Sequence, residues 1–134
     1  MRILFLGDVM GRSGRAAITQ NVPRLREEWR LDFIIVNGEN ATNGMGLSGA
    51  HAKTFLDAGV DCLTLGDHAF DQKDMLQFIE SEPRIVRPLN FARNAPGKGH
   101  RLFKTTSGRK VLVAQVLGQV FMKRPHDDPF SSLD

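Results

Sequence analysis

Cysteine is almost missing from this chain: Cys62 is the only one in 134 residues. A lone cysteine excludes an internal disulfide framework and is compatible with a reducing compartment. Long apolar runs are missing as well. The first run, Ile3 to Leu6, is stopped by Gly7-Asp8, which is too early for a signal peptide. No stretch approaches the roughly 20 apolar residues that a membrane span needs. There is no internal repeat and no low-complexity tract. There is also no dense basic cluster with interleaved aromatics, so nucleic acid is a possible partner but not an indicated one. What is present is ordinary for a globular protein, with 41% hydrophobic and 25% charged residues. The expectation is a cytoplasmic protein with no membrane contact, built as a single domain over residues 1–134.

The net charge of +3 conceals an asymmetry. Residues 1–83 carry 8 Lys/Arg against 12 Asp/Glu, while residues 84–134 carry 10 against 3. An acidic front half suits cations, and a basic back half suits phosphates. Scattered charges of this kind also simply solvate a surface.

The acidic half has a pattern. Asp32–Asn40 reads DFIIVNGEN, a short apolar strand that breaks into two amides and a carboxylate. No Lys or Arg follows closely enough to be an obvious local partner for Glu39. A carboxylate held there needs a cation, and a metal satisfies that need. The two neighbouring strands end alike, at Gly7-Asp8 and at Gly66-Asp67-His68. Each end joins a turn-permitting glycine to an oxygen-ligand residue. If the three strands are neighbours in a parallel sheet, Asp8, Glu39, Asn40 and Asp67 converge at one edge, beside His68.

Such a concentration of negative charge repels itself without cations. Oxygen ligands suit Mn²⁺, Fe²⁺ or Mg²⁺, and added imidazoles shift the balance toward Mn, Fe or Zn. A central Glu can bridge two metals, the usual arrangement for in-line attack on a phosphate ester by an acidified water. His68 is placed as a general acid for the leaving alkoxide. Each of these residues has an ordinary alternative as a turn former, helix cap or structural histidine; together, at three successive strand ends, the ordinary alternatives lose ground. Arg12 and Arg15 flank a helix start and could hold a phosphate. Asn90, after Arg87-Pro88, could face the same pocket or simply make a turn. Met10 and Met45 read as packing residues.

The element pattern is βαβα, which predicts an α/β protein with a largely parallel sheet and a hairpin around Ser107-Gly108 at one side. Pro23 predicts two short helices, or one kinked at Asn21-Val22. Ser48 is expected to cap a helix running to Ala58, and Asp71 to cap another from Gln72 to about Ser81. Asp127-Asp128-Pro129-Phe130 predicts the start of a further helix, and a sheet ending there looks incomplete.

Three stretches together resemble the YmdB-like family, a bacterial branch of the calcineurin-like metallophosphoesterases. They are Gly7-Asp8-Val9-Met10-Gly11-Arg12-Ser13-Gly14-Arg15, Val36-Asn37-Gly38-Glu39-Asn40, and Thr64-Leu65-Gly66-Asp67-His68 with Asp71-Gln72. The similarity continues through Arg87-Pro88-Leu89-Asn90-Phe91, Val120-Phe121-Met122 and Asp127-Asp128-Pro129-Phe130. The resemblance implies an α/β/β/α sandwich, of which this chain would be the N-terminal half. It implies two divalent metals, Fe or Mn foremost and Zn or Mg as alternatives. It implies a phosphodiesterase acting through a metal-bound hydroxide, with cyclic nucleotides as one substrate class. On matching positions Asp8, Glu39, Asn40 and Asp67 become ligands, Glu39 the bridge and His68 the proton donor.

Two departures stand out. The family's third motif reads Gly-Asn-His, where this chain has Asp67. The extra charge should tighten metal binding and make the bound water less acidic. Family members are also about twice this long and take further histidine ligands from their second half, to which His51, His100 and His126 do not correspond. Two other readings therefore stay open. The chain could be a phosphate- or nucleotide-binding remnant that acts through a partner, or a piece that does not fold alone. A homo-oligomer is also compatible with the sequence.

Overall fold

A computed structural model describes residues 1–122 and 126–134. Four strands, β1 (Ile3–Leu6), β2 (Phe33–Asn37), β3 (Cys62–Thr64) and β4 (Ile85–Val86), form a parallel sheet in the order β1-β2-β3-β4. Three helices cross between them: α1 (Gly11–Glu28), α2 (Gly49–Asp57) and α3 (Met75–Ser81). A hairpin, β5 (His100–Lys104) and β6 (Lys110–Ala114), and a short α4 (Pro129–Leu133) follow. The α/β expectation with a parallel sheet holds.

Side chains alternate across the strands and so define two layers of core. Leu4, Leu6, Ile34, Val36, Leu63 and Ile85 pack on the helical face with Ile18, Val22 and Phe55. Phe33, Cys62 and Val86 face the other way, against Val111, Val113 and Phe103 of the hairpin. The Phe33 and Phe103 rings tilt together at 5.2 Å. Burying each large apolar side chain contributes about 1.5–3 kcal/mol, so both faces of the sheet hold the fold. The hairpin is thus a separate antiparallel layer laid over the sheet. The described residues thus form three layers, α/β/β. Burial also pushes the Cys62 thiol up to about 12, which leaves it unreactive.

Burial and capping set the helix bounds. Helix α1 runs as one element through Pro23, so of the two forms expected the two short helices are excluded and the single helix stands. Proline removes one intrahelical donor at a cost of about 3 kcal/mol, and burial of Ile18 and Val22 ahead of it in the same helix offsets that cost. Ser48 caps α2 as expected, its Oγ accepting the His51 N–H at 3.3 Å, with Gly59 beyond the helix at φ +102°. Helix α3 starts later than expected because Asp71 is not its cap. Asp74 also turns away from its own helix, and its Oδ2 accepts the Gly49 N–H of α2 at 2.8 Å. The predicted helix after Asp127 is α4, capped by Asp128, which accepts the Ser131 N–H at 2.7 Å. Among the described residues no helix is long and apolar enough to cross a membrane.

Candidate active site

The parallel sheet brings the three strand-end turns to one edge. In register, Leu6 stands beside Val36, Asn37 beside Thr64, and Thr64 beside Val86. The turns themselves are stitched together: the Val9 N–H donates to the Asn37 carbonyl at 3.2 Å and the Gly38 N–H to the Thr64 carbonyl at 3.0 Å. Arg15 reaches from α1 to the Ala41 carbonyl, so its guanidinium anchors the second turn.

Asp8 adopts φ +48°, a left-handed conformation that aspartate tolerates better than most residues. Its Oδ1 accepts a hydrogen bond from the Asn40 side chain at 2.7 Å, which leaves the Asn40 oxygen available as a ligand atom. Glu39 is half-buried and lies beside Asp67. Burial first, and then Asp67, raise the Glu39 carboxyl above its ordinary range. One of its oxygens, Oε2, is buried with no hydrogen-bond partner. Gly66 makes this possible, because a Cβ there would overlap the Glu39 carboxylate. The glycine is required by its neighbour rather than by the turn.

His68 lies next to this pair. Its Nδ1 is 2.6 Å from Asp71 Oδ2, and its Nε2 is 3.8 Å from Asp67 Oδ2. The Asp71 hydrogen bond is the main force raising the His68 pKa, with Asp67 adding to it. An imidazole held in this way is protonated over a wider range and presents Nε2 outward.

The donor set fits a hard cation. Two neighbouring carboxylates need a proton or a positive charge between them, and the orphaned Glu39 oxygen needs a partner. Asp8 and Asn40 add oxygen atoms on the neighbouring turns. Among the described residues, however, no three His, Cys, Asp or Glu side chains converge closely enough to enclose a metal. The two pairs, Asp8–Asn40 and Glu39–Asp67, offer one side of a coordination sphere.

The other expected contributors fall differently. Arg12 is exposed in the first turn of α1. Asn90 is buried, and both ends of its amide are engaged: it donates to the carbonyls of Leu117 at 2.8 Å and Asp127 at 3.0 Å, and accepts the Leu117 N–H at 2.9 Å. The substrate contact expected of Asn90 is corrected to a tie between the loop after β4 and the tail. Arg87 is likewise buried, donating to the carbonyls of Pro88 and Pro96. Met10 and Met45, read as packing residues, are 52% and 58% exposed beside the site. His51 bonds Thr42 Oγ1 at 2.8 Å and steadies the loop after Asn40. Asp71 went unrecognised as the partner of His68, although the His-x-x-Asp spacing within one turn is a usable signal.

A sequence model of YmdB-like proteins matches residues 4–134. The chain belongs to the YmdB-like family. It is 40% identical over 134 residues to a 2′,3′-cyclic-nucleotide 2′-phosphodiesterase of Bacillus subtilis, covering 100% of this chain and 50% of that protein. It is 38% identical over 122 residues to a putative phosphatase/phosphodiesterase of Mycoplasma genitalium, covering 88% of this chain and 43% of the relative. Among solved structures, a hypothetical protein from Thermus thermophilus superposes with a TM-score of 0.91 at 44% identity, over 99% of this chain and 51% of that one. A novel phosphatase from Mycoplasma pneumoniae superposes with a TM-score of 0.88 at 35% identity, over 98% and 48%. The chain therefore spans about half the length of the YmdB-like relatives it matches.

Proposed function

We propose that this chain carries the first half of a metal-dependent phosphodiesterase site, acting on phosphodiesters of the cyclic-nucleotide class. The observation that carries the proposal is the buried Glu39 oxygen without a hydrogen-bond partner, set near a histidine already fixed by Asp71. Asp8, Glu39, Asn40 and Asp67 would hold the divalent cations, with Fe or Mn as the candidate metals. Bound metal would supply positive charge against the phosphate and acidify a water nucleophile. The chain's own residues do the rest. Asp71 accepts from His68 Nδ1, so Nε2 is the nitrogen free to give a proton to the leaving alkoxide. Arg12, exposed at the start of α1, offers charge to a phosphate oxygen. A cytoplasmic setting supplies such metals and keeps Cys62 reduced.

The test is hydrolysis of bis(p-nitrophenyl) phosphate by purified protein with Mn²⁺ or Fe²⁺. Glu39→Gln should abolish it, and activity indifferent to that change overturns the assignment. A second reading, ligand binding without turnover, draws support from the open coordination sphere. It predicts nucleotide binding with fewer than two tightly held ions per chain, measured by metal analysis alongside calorimetry.

A further inference from the structure

Methionine is most often a buried residue, as Met75 is in α3. Met10 and Met45 are each more than half exposed, and both stand at the candidate site. Met10 comes two residues after Asp8, at the start of α1, and the Gly11 N–H that follows donates to the Asn40 carbonyl at 3.0 Å. Its thioether lies against Gly44, where an added Cβ would sit 3.2 Å from the sulfur. Met45 is the next residue in the chain. Its carbonyl accepts from the Gln72 side chain at 2.6 Å, and a Cβ on Gly46 would press on the His68 carbonyl at 3.0 Å. One methionine thus enters from the turn of Asp8, and the other from the loop that joins Asn40 to the turn of His68. The exposure of Met45 does not come from a slack loop. The Gly44 N–H donates to the Asn40 carbonyl at 2.9 Å, the Met45 N–H to the Thr42 carbonyl at 3.0 Å, and the Thr42 N–H to the Gly46 carbonyl at 2.9 Å. Gly44 and Gly46 take φ +79° and +82°, which so tight a path requires. A closed turn therefore holds an apolar side chain out in solvent beside a cluster of carboxylates.

The geometry points to Met10 and Met45 as the residues that receive the planar base of a nucleotide whose phosphate lies at the candidate metal ligands. It rests on the phosphodiesterase reading of the site and adds to it the groups that tell a nucleotide from another phosphate ester. Among the described residues, Met10 and Met45 are the only large apolar side chains exposed on the three turns that carry the candidate ligands. A base presents apolar faces, and a thioether sulfur makes favourable contacts with aromatic rings. An unbranched methionine also adapts its shape, so purine and pyrimidine rings both find a fit. Stacking of this kind is tolerant of base identity, because every base has a π-face. Two side chains are too few to anchor a protein, whose interfaces take about 800 Å² from each partner.

The experiment labels the methionine methyl groups of the full 134-residue chain with ¹³C and follows them by NMR. Adenosine 5′-monophosphate and ribose 5-phosphate are titrated separately, each with diamagnetic Mg²⁺. The two probes share sugar and phosphate and differ in the base. The nucleotide should bind more tightly and should shift the Met10 and Met45 methyls, as ribose 5-phosphate does not, while buried Met75 stays unmoved as the internal reference. The double variant Met10→Ala with Met45→Ala should bind the nucleotide about 2–10-fold more weakly, the range for lost sulfur–aromatic contacts. Its affinity for ribose 5-phosphate and its melting transition should stay as in the parent. Equal affinity for the two probes, Met10 and Met45 methyls that do not distinguish them, or a double variant that holds the nucleotide as tightly as the parent would each overturn the inference and leave the phosphate site standing. Binding of neither probe would remove the phosphate site and the inference together.

Discussion

The hydrogen bond between Asp71 and His68 decides which ring nitrogen faces the candidate site. Replacing Asp71 with Asn keeps the size of the side chain but removes the charge that steadies the imidazolium. We expect kcat on a phosphodiester to fall about 10–100-fold, the range for lost supporting hydrogen bonds, with KM little changed; steady-state kinetics of the metal-loaded protein checks this. Glu39 makes a different prediction. Its carboxyl is raised above the reference value of 4.5, so the folded chain holds that proton more tightly than the unfolded chain does. Ionisation of Glu39 therefore subtracts stability as pH rises above that value in metal-free protein. Glu39→Gln should flatten this decline and raise the melting temperature at neutral pH, read by thermal denaturation from weak acid to neutrality. Added divalent metal should stabilise the parent protein and not the variant. Asp8, Glu39, Asn40 and Asp67 were legible in the sequence because each follows closely on an apolar run that stops at a glycine or amide. Asp71 was read as a helix cap, because an Asp just before a helical pattern suits that role, although its spacing from His68 also fits the bond observed.

At the level of elements, the Asp74 carboxylate links two helices by accepting from the first turn of α2. Asp74→Ala should cost about 1 kcal/mol, the usual value of a lost cap, measured by urea denaturation. Gly66→Ala should be worse than its helix or strand propensity suggests, since the new methyl displaces the Glu39 carboxylate. Its expected signature is weakened metal binding in titration calorimetry with the fold retained. The strands and the hairpin turn at Gly108 could be read from composition, because apolar runs and turn glycines are local signals. Pro23 left two forms of α1 open, and tertiary burial of its apolar residues, which outweighs the local penalty, decides for the single helix. The placement of the hairpin was hidden for a related reason. Its alternation of Val111 and Val113 with exposed neighbours announces one buried face, but not which surface buries it.

Over the whole molecule, the apolar surface is distributed unevenly. The helical face of the sheet is sealed, while β1 and the outer hairpin face are bare. Leu102→Lys with Leu112→Glu, a cross-strand pair of opposite charges, should lower the binding of a hydrophobic dye and reduce self-association. The melting temperature should stay the same, because neither leucine belongs to the core. The acidic residues of the first half lie on the three crossing helices and on the loops between helices and strands, and the hairpin carries Arg101, Lys104, Arg109 and Lys110 with no acid.

The sheet order β1-β2-β3-β4 also has a consequence in time. Each strand pairs with its immediate successor in the chain, so every pairing closes a local loop and none waits for a distant segment. During synthesis, each new strand emerges beside a finished edge. All the residues assigned to the candidate site except the discounted Asn90 lie before position 72. The pocket of Asp8, Glu39, Asn40, Asp67, His68 and Asp71 can therefore be assembled on the ribosome before the hairpin that braces the opposite face has been made.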